Sequence, residues 1–218
     1  MTMPDENPSA RLRDLLFADL APGRAAEVFA RGGAATAFIV DLARAASVGD
    51  APAALRAISV TPPAEQETRL FAQAWHLARL AGVDPGSASR RVLGVIVDMH
   101  TDEGLDTLAG FLDGSARYLN YSGAGVVWEA PDAEVRRRVD DLLLAGEEVL
   151  RLTEPIEPPR PAAPGHGGAM ISVITPGGIH VGAGSVYHLS NDSHGGPVIS
   201  AAGNLLALLV ERSMAGQG

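Results

Sequence analysis

The 218-residue sequence contains no cysteine and no lysine, and only 5% of its residues are aromatic. Without cysteine, the chain has no disulfide, thiolate nucleophile, zinc ribbon or iron–sulfur cluster. Without lysine, Schiff-base and pyridoxal phosphate enzymes and the Walker A phosphate loop are excluded, because each requires a lysine amine. All 17 basic residues are arginine, a usage that is also typical of a GC-rich genome.

Positive charge is scarce as well, and the net charge is −9. Affinity for nucleic acid comes mainly from clustered cations, so this balance predicts no nucleic-acid binding. The single basic cluster, Arg136 to Arg138, lies in an otherwise acidic predicted helix and is interpreted as a solvated face.

Long hydrophobic runs are also missing. The longest apolar stretch, Val198 to Val210, is interrupted by polar residues and glycine and is too short to span a bilayer. Residues 1–13 are polar and lack the apolar core of a secretory signal. We therefore expect no membrane insertion and a cytoplasmic location.

What is present is typical of a globular chain, with 46% apolar and 20% charged residues. Residues 1–89 are predicted to form a helical N-terminal region, in which the clearest helix covers 64–81 and carries Trp75 on its apolar stripe. Residues 90–218 are predicted to form a sheet domain. Five prolines between 153 and 168 indicate a long extended loop within it.

Strands are predicted where β-branched and apolar residues cluster between turn signals. The six segments are 92–99, 105–112, 115–121, 124–129, 170–175 and 179–181. Asp113-Gly114 is a favoured hairpin turn, and Pro131-Asp132 and Pro197 are interpreted as helix starts. The predicted fold class is α+β, with an antiparallel sheet of five to six strands covered by helices and preceded by the helical region.

Two resemblances accompany this pattern. The segments 104–109, 113–120 and 175–180 are similar to segments of uncharacterised bacterial proteins, which implies no particular activity. The order of elements over 90–213 resembles the longin, roadblock and profilin-like group of α+β folds. Such folds often serve as dimerising scaffolds or regulatory platforms, so this resemblance implies a homodimer or a protein partner and transfers no active site.

One candidate site lies at the end of the first predicted strand. In an extended chain Asp98, His100 and Asp102 lie on the same side, and two carboxylates with an imidazole could bind a metal ion. The pattern matches none of the specific zinc motifs. A solvated acidic turn between two strands is the alternative interpretation.

A second candidate site has the residue types of a nucleophilic hydrolase. These are His180, Ser185, His188, Asp192 and His194. The nucleophile motif G-x-S-x-G is absent around Ser185. Asp192 is equally suited to capping the last helix.

The sequence therefore favours a noncatalytic protein-interaction or regulatory module that self-associates through its sheet edge or its last helix. No cofactor is expected. The alternative is a small metal-dependent or Ser/His hydrolase that uses Asp98, His100 and Asp102 with one of the later histidines.

Overall fold

The computed structural model describes residues 12–13, 15–60, 67–129 and 132–215, so most of the segment 1–13 lies outside it. Within these ranges the chain is α+β, as predicted, with seven α-helices and a six-stranded antiparallel sheet. None of the described helices is long and apolar enough to cross a membrane.

The first part of the described chain is helical. It contains α1 (Pro22–Phe29), α2 (Ala37–Val48), α3 (Ala51–Val60) and α4 (Thr68–Leu80), with 3₁₀ turns at Ala30–Thr36 and Gly86–Ala88. The apolar faces of these helices pack against one another and bury a separate core around Ile39, Leu42 and Leu77. The predicted helix over 64–81 corresponds to α4, and its first residues lie outside the described ranges.

The sheet follows. Its strands are β1 (Gly94–His100), β2 (Leu105–Phe111), β3 (Ala116–Leu119), β4 (Gly125–Trp128), β5 (Gly168–Thr175) and β6 (Gly178–Ser185). Their order in the sheet is β4-β3-β2-β1-β5-β6, so the last hairpin joins the four-stranded meander beside β1, as predicted. Between β4 and β5 lies α5 (Ala133–Leu152), and after β6 come α6 (Val186–Asn191) and α7 (Gly195–Ala215).

Successive residues of β1 face opposite sides of the sheet, and both sides are buried. Val95 and Val97 belong to the core that the sheet forms with α5 and α7. Ile96 belongs to the core on the opposite side, together with Phe17 and Phe111. The sheet is therefore covered by α5 and α7 on one face and by the N-terminal part of the chain on the other.

The last helix is one of the two surfaces through which self-association is predicted. In the structure α7 buries Val198, Leu205 and Leu209 against α5 and the sheet, while Gly203 and Asn204 are exposed. Most of its apolar surface is therefore used inside the chain.

Three features near the end of the chain differ from the prediction. β6 extends to Ser185, because Gly182 to Gly184 pair with β5 although they have no β-branched side chains. The short helix α6 was not predicted. α7 begins at Gly195, two residues before Pro197, because Asp192 accepts hydrogen bonds from the amides of His194 (2.9 Å) and Gly195 (2.7 Å).

Candidate functional site

The described residues form a groove of about 800 Å³ between the N-terminal helices and the loop that precedes β5. We call it the arginine groove because four guanidinium groups line it. These belong to Arg13, Arg24, Arg79 and Arg160. A groove of this volume has the size of a small-molecule binding site.

One wall of the arginine groove is the segment 155–162, which we call the proline segment. The fixed φ angles of Pro158, Pro159 and Pro161 favour an extended backbone. The segment is attached to the outer edge of β6 by a bridge between Pro155 and His180 and by a 2.8 Å hydrogen bond from the Ile156 amide to the Ile179 carbonyl. The other walls are α4, the residues that lead into α1, and the start of β6.

Glycine is required where the proline segment meets β6. Gly178 has a φ of 139°, which L side chains rarely adopt, and a Cβ atom there would lie 2.8 Å from Cβ of Pro155. The Thr175–Gly178 turn can therefore approach the proline segment only because residue 178 has no side chain.

A mostly buried ion pair joins the proline segment to the residues before α1. Nε of Arg160 donates to Oδ2 of Asp19 at 2.8 Å, and the guanidinium of Arg160 lies 4.0 Å from the centroid of the Phe17 ring. Stacking on Phe17 and pairing with Asp19 fix Arg160 at the rim of the groove.

A second, buried ion pair lies deeper. Nε and Nη2 of Arg13 donate to the two carboxylate oxygens of Asp98, at 3.0 and 2.6 Å, and Oγ1 of Thr107 donates to the same carboxylate at 2.6 Å. This bidentate pair attaches the N-terminal part of the chain to the centre of β1 and β2.

The other two arginines that line the groove, Arg24 and Arg79, are not held by a buried carboxylate among the described residues. Arg24 forms an exposed ion pair with Glu27. Arg79 has no hydrogen bond or close ion pair with any described residue, and its Nε atom is buried. Burial lowers the pKa of Arg79, and only the negative charge of Glu157 opposes this effect.

His76 lies one turn before Arg79 in α4 and also lines the groove. Its side chain is nine-tenths buried and makes no hydrogen bond to a described residue. Burial, with a contribution from the charge of Arg79, lowers the pKa of His76 to about 4. The imidazole is therefore neutral near neutral pH, and the groove keeps one guanidinium without a partner among the described residues.

The residues of the predicted metal site are distributed differently from the expectation. Asp98 is fully buried and both its oxygens are occupied by Arg13 and Thr107. β1 ends at His100, so Asp102 lies in the exposed turn beyond it, with 96% of its side chain accessible. The structure thus does not bring Asp98 together with Asp102.

His166, which was not part of the predicted metal site, lies beside Asp102 and His100. Nε2 of His166 is 2.8 Å from Oδ1 of Asp102, and the rings of His166 and His100 are 6.0 Å apart. Over the described residues, no group of three or more histidine, aspartate or glutamate side chains has an arrangement that could hold a metal ion.

The predicted hydrolase residues are also separated. His180 pairs with Val173 towards one end of β6, and Ser185 pairs with Gly168 at the other, so the two residues are five positions or roughly 17 Å of strand apart. Nδ1 of His180 lies 3.0 Å from the Thr153 carbonyl, and burial lowers the pKa of this imidazole.

Ser185 and Asp192 both serve as helix caps. Oγ of Ser185 accepts from the His188 amide at 3.1 Å at the start of α6. The amides of Gly195 and His194 lower the pKa of Asp192, which caps α7 as the alternative interpretation expected. His194 lies 3.8 Å from a carboxylate oxygen of Glu148. No hydrogen bond joins Ser185 to a histidine side chain in the described part of the chain.

Sequence reasoning missed the arginine groove because its residues come from positions 13 to 179. The available signals were His76 and Arg79 on one face of α4 and the density of prolines after 153. Neither signal predicts that the two segments meet.

Comparison with family models, with curated proteins and with solved structures gives no match to this chain. The resemblances described from the sequence therefore remain predictions.

Proposed function

We propose that this chain is a noncatalytic regulatory module that binds a small ligand in the arginine groove and associates with a second copy of itself. The observation that supports this best is that the walls of the groove come from separate parts of the chain. A ligand there would contact α4, the proline segment and β6 at once. It would stabilise the arrangement of the helical region against the sheet, which is how a bound ligand biases a conformational equilibrium.

Native mass spectrometry of the protein, purified from its own host without chelator, tests ligand binding. We expect a noncovalent small-molecule adduct. Ala162→Trp places an indole at the mouth of the groove and should remove the adduct. Ala163→Trp adds the same ring at the next residue, which does not line the groove, and should keep it. An adduct that survives in both variants would place the ligand elsewhere and contradict the proposal.

Self-association is supported by the free edge of the sheet. No described strand pairs with the outer edge of β4, and Val127 of this strand is 58% exposed. An unpaired edge offers backbone hydrogen-bonding groups to a second chain. α7 is the weaker candidate, because most of its large apolar residues pack inside the chain.

Sedimentation velocity tests this edge. Val127→Lys should shift the protein towards the monomer, since lysine on an edge strand opposes pairing. Val48→Lys is the matched control, because Val48 is 78% exposed on α2, away from the sheet, and should leave the oligomeric state unchanged. A protein that is monomeric before any substitution contradicts this part of the proposal.

The alternative of a metal-dependent hydrolase would need a metal ion at the exposed pair of His166 and Asp102, beside His100, where the described residues form no group of three side chains that could hold one. Calorimetric titration with Zn²⁺ and an assay with p-nitrophenyl acetate test it. Stoichiometric zinc binding that His166→Ala abolishes, together with turnover, would replace the regulatory proposal by the enzymatic one.

A further inference from the structure

We infer that the ligand of the arginine groove is an amphipathic organic monoanion, whose carboxylate lies at Arg79 and His76 and whose apolar body lies along the proline segment. This inference rests on the proposed ligand-binding function and specifies its chemistry.

The position of the negative charge follows from which cations are already paired. Arg13 is held by Asp98 and Arg160 by Asp19, and Arg24 pairs with Glu27 at the exposed surface. Arg79 is left with no hydrogen bond and no close ion pair to a described residue, although its Nε atom is buried, and Glu157 acts on it only through its charge. A partly buried guanidinium without a partner is unfavourable, and a carboxylate is the partner that its planar donor geometry fits.

His76 supplies a second donor to the same place. It lies three residues before Arg79 in α4, so both side chains project from one face of the helix. Its imidazole is nine-tenths buried in the wall of the groove and forms no hydrogen bond with the described residues. A neutral imidazole N–H can donate to the second carboxylate oxygen without adding charge. One unpaired guanidinium and one neutral donor match a single negative charge.

The rest of the wall is mostly apolar. Leu20, Leu80, Ile156 and Ile179 line the groove together with the prolines of the proline segment. An anion without a hydrocarbon part, such as inorganic phosphate, would leave this surface uncovered. The volume of about 800 Å³ is suited to a ligand with a substantial apolar body.

Isothermal titration of the full chain with four probes tests the inference. The probes are octanoate, octanamide, octylamine and inorganic phosphate. We expect octanoate to bind at least about tenfold more tightly than the other three, since a charge-assisted hydrogen bond stabilises a complex by roughly that factor or more. Octanoate should also shift the imidazole resonances of His76 in NMR spectra.

Variants distinguish recognition of the carboxylate from simple apolar binding. Arg79→Met keeps a long apolar stem and should weaken octanoate binding by about tenfold or more. Arg56→Met, on the exposed side of α3, is the matched control and should leave binding unchanged. Should Arg79→Met lower the melting temperature strongly, Arg79→Lys keeps the charge without the planar fork and should still weaken binding.

Equal binding of octanoate and octanamide, or unchanged binding to Arg79→Met, would overturn the inference while leaving a ligand-binding groove in place. Tight binding of phosphate alone, or of none of the four probes, would overturn it as well. Failure of the proposed function itself is recognised separately, by a native mass without an adduct sensitive to Ala162→Trp.

Discussion

At the scale of single residues, the pair of Arg13 and Asp98 carries two charges into the protein interior. Its three hydrogen bonds, two from Arg13 and one from Thr107, compensate for lost hydration. Asp98→Ala would leave the guanidinium of Arg13 buried and uncompensated. We expect the free energy of unfolding to fall by about 3–5 kcal/mol, measured by urea denaturation.

The double variant Arg13→Met/Asp98→Leu is the control for this prediction. It removes both charges and fills their volume with apolar groups, so it should be considerably more stable than Asp98→Ala alone. Equal stability of the single and double variants would show that the ion pair is not what the single substitution disrupts.

His76 makes stability depend on pH. Its pKa is about 4 in the folded chain and near its ordinary value of 6.5 in the unfolded chain, so the unfolded chain binds more protons between these values. The free energy of unfolding should therefore decrease as the pH falls from about 6.5 to about 4, by at most about 3 kcal/mol from this group.

Denaturation curves at several pH values measure this effect. His76→Gln should remove that part of the decrease, because glutamine does not titrate. A pH profile that His76→Gln does not alter would argue against a buried neutral imidazole.

Residues whose role is local could be predicted from the sequence, and residues whose role depends on distant partners could not. Asp192 caps α7 because the amides of His194 and Gly195 follow it directly in the chain. Asp98 was named in one candidate metal site, and its ion pair with Arg13 could not be predicted because Arg13 is 85 residues away. No spacing rule connects such positions.

At the scale of elements, two helical glycines form a matched test of packing. Gly146 of α5 faces β1, and a Cβ atom there would lie 2.5 Å from Cγ2 of Val95. Gly146→Ala should lower the free energy of unfolding by about 1–3 kcal/mol, because it forces α5 away from the sheet. Thermal or urea denaturation measures the change.

Gly203 of α7 is the control. It is exposed, and a Cβ atom there would have no neighbour within 4 Å. Gly203→Ala should raise the free energy of unfolding by about 0.5–1 kcal/mol through helix propensity. If both substitutions stabilised the chain, the close contact between α5 and β1 would not be what requires glycine at position 146.

Strands that are stabilised by apolar side chains could be predicted from the sequence, and strands that are stabilised by backbone pairing could not. β1 and β2 were predicted within one or two residues because both are rich in apolar residues and flank turn signals. β6 was predicted too short, since its second half is stabilised by backbone pairing with β5 and not by side chains.

At the scale of the whole molecule, the helical N-terminal region covers one face of the sheet. Phe17 and Ala72 pack there against Ile96 and Phe111. A fragment of residues 90–218 would expose this apolar face and leave Asp98 without Arg13. We expect the fragment to aggregate or to bind a hydrophobic dye, as measured by light scattering and dye fluorescence.

Coexpression of residues 1–89 as a separate chain is the control, and should reduce dye binding by covering the face again. A fragment 90–218 that stays monodisperse and unfolds cooperatively would contradict the prediction. Composition predicted the change from helices to strands near residue 90, but it contained no information about the packing of one region on the other, because that contact is made by residues far apart in sequence.

The attachment of the proline segment to β6 has a consequence for symmetry. Pro155 and Ile156 occupy the outer edge of β6 near its start, so the two edges of the sheet, at β4 and β6, are not equivalent. Contacts between unlike edges can repeat without limit and build fibres, whereas a contact between two copies of the same edge closes after one step. With part of the β6 edge occupied, pairing through β4 would use a twofold axis and end at two chains.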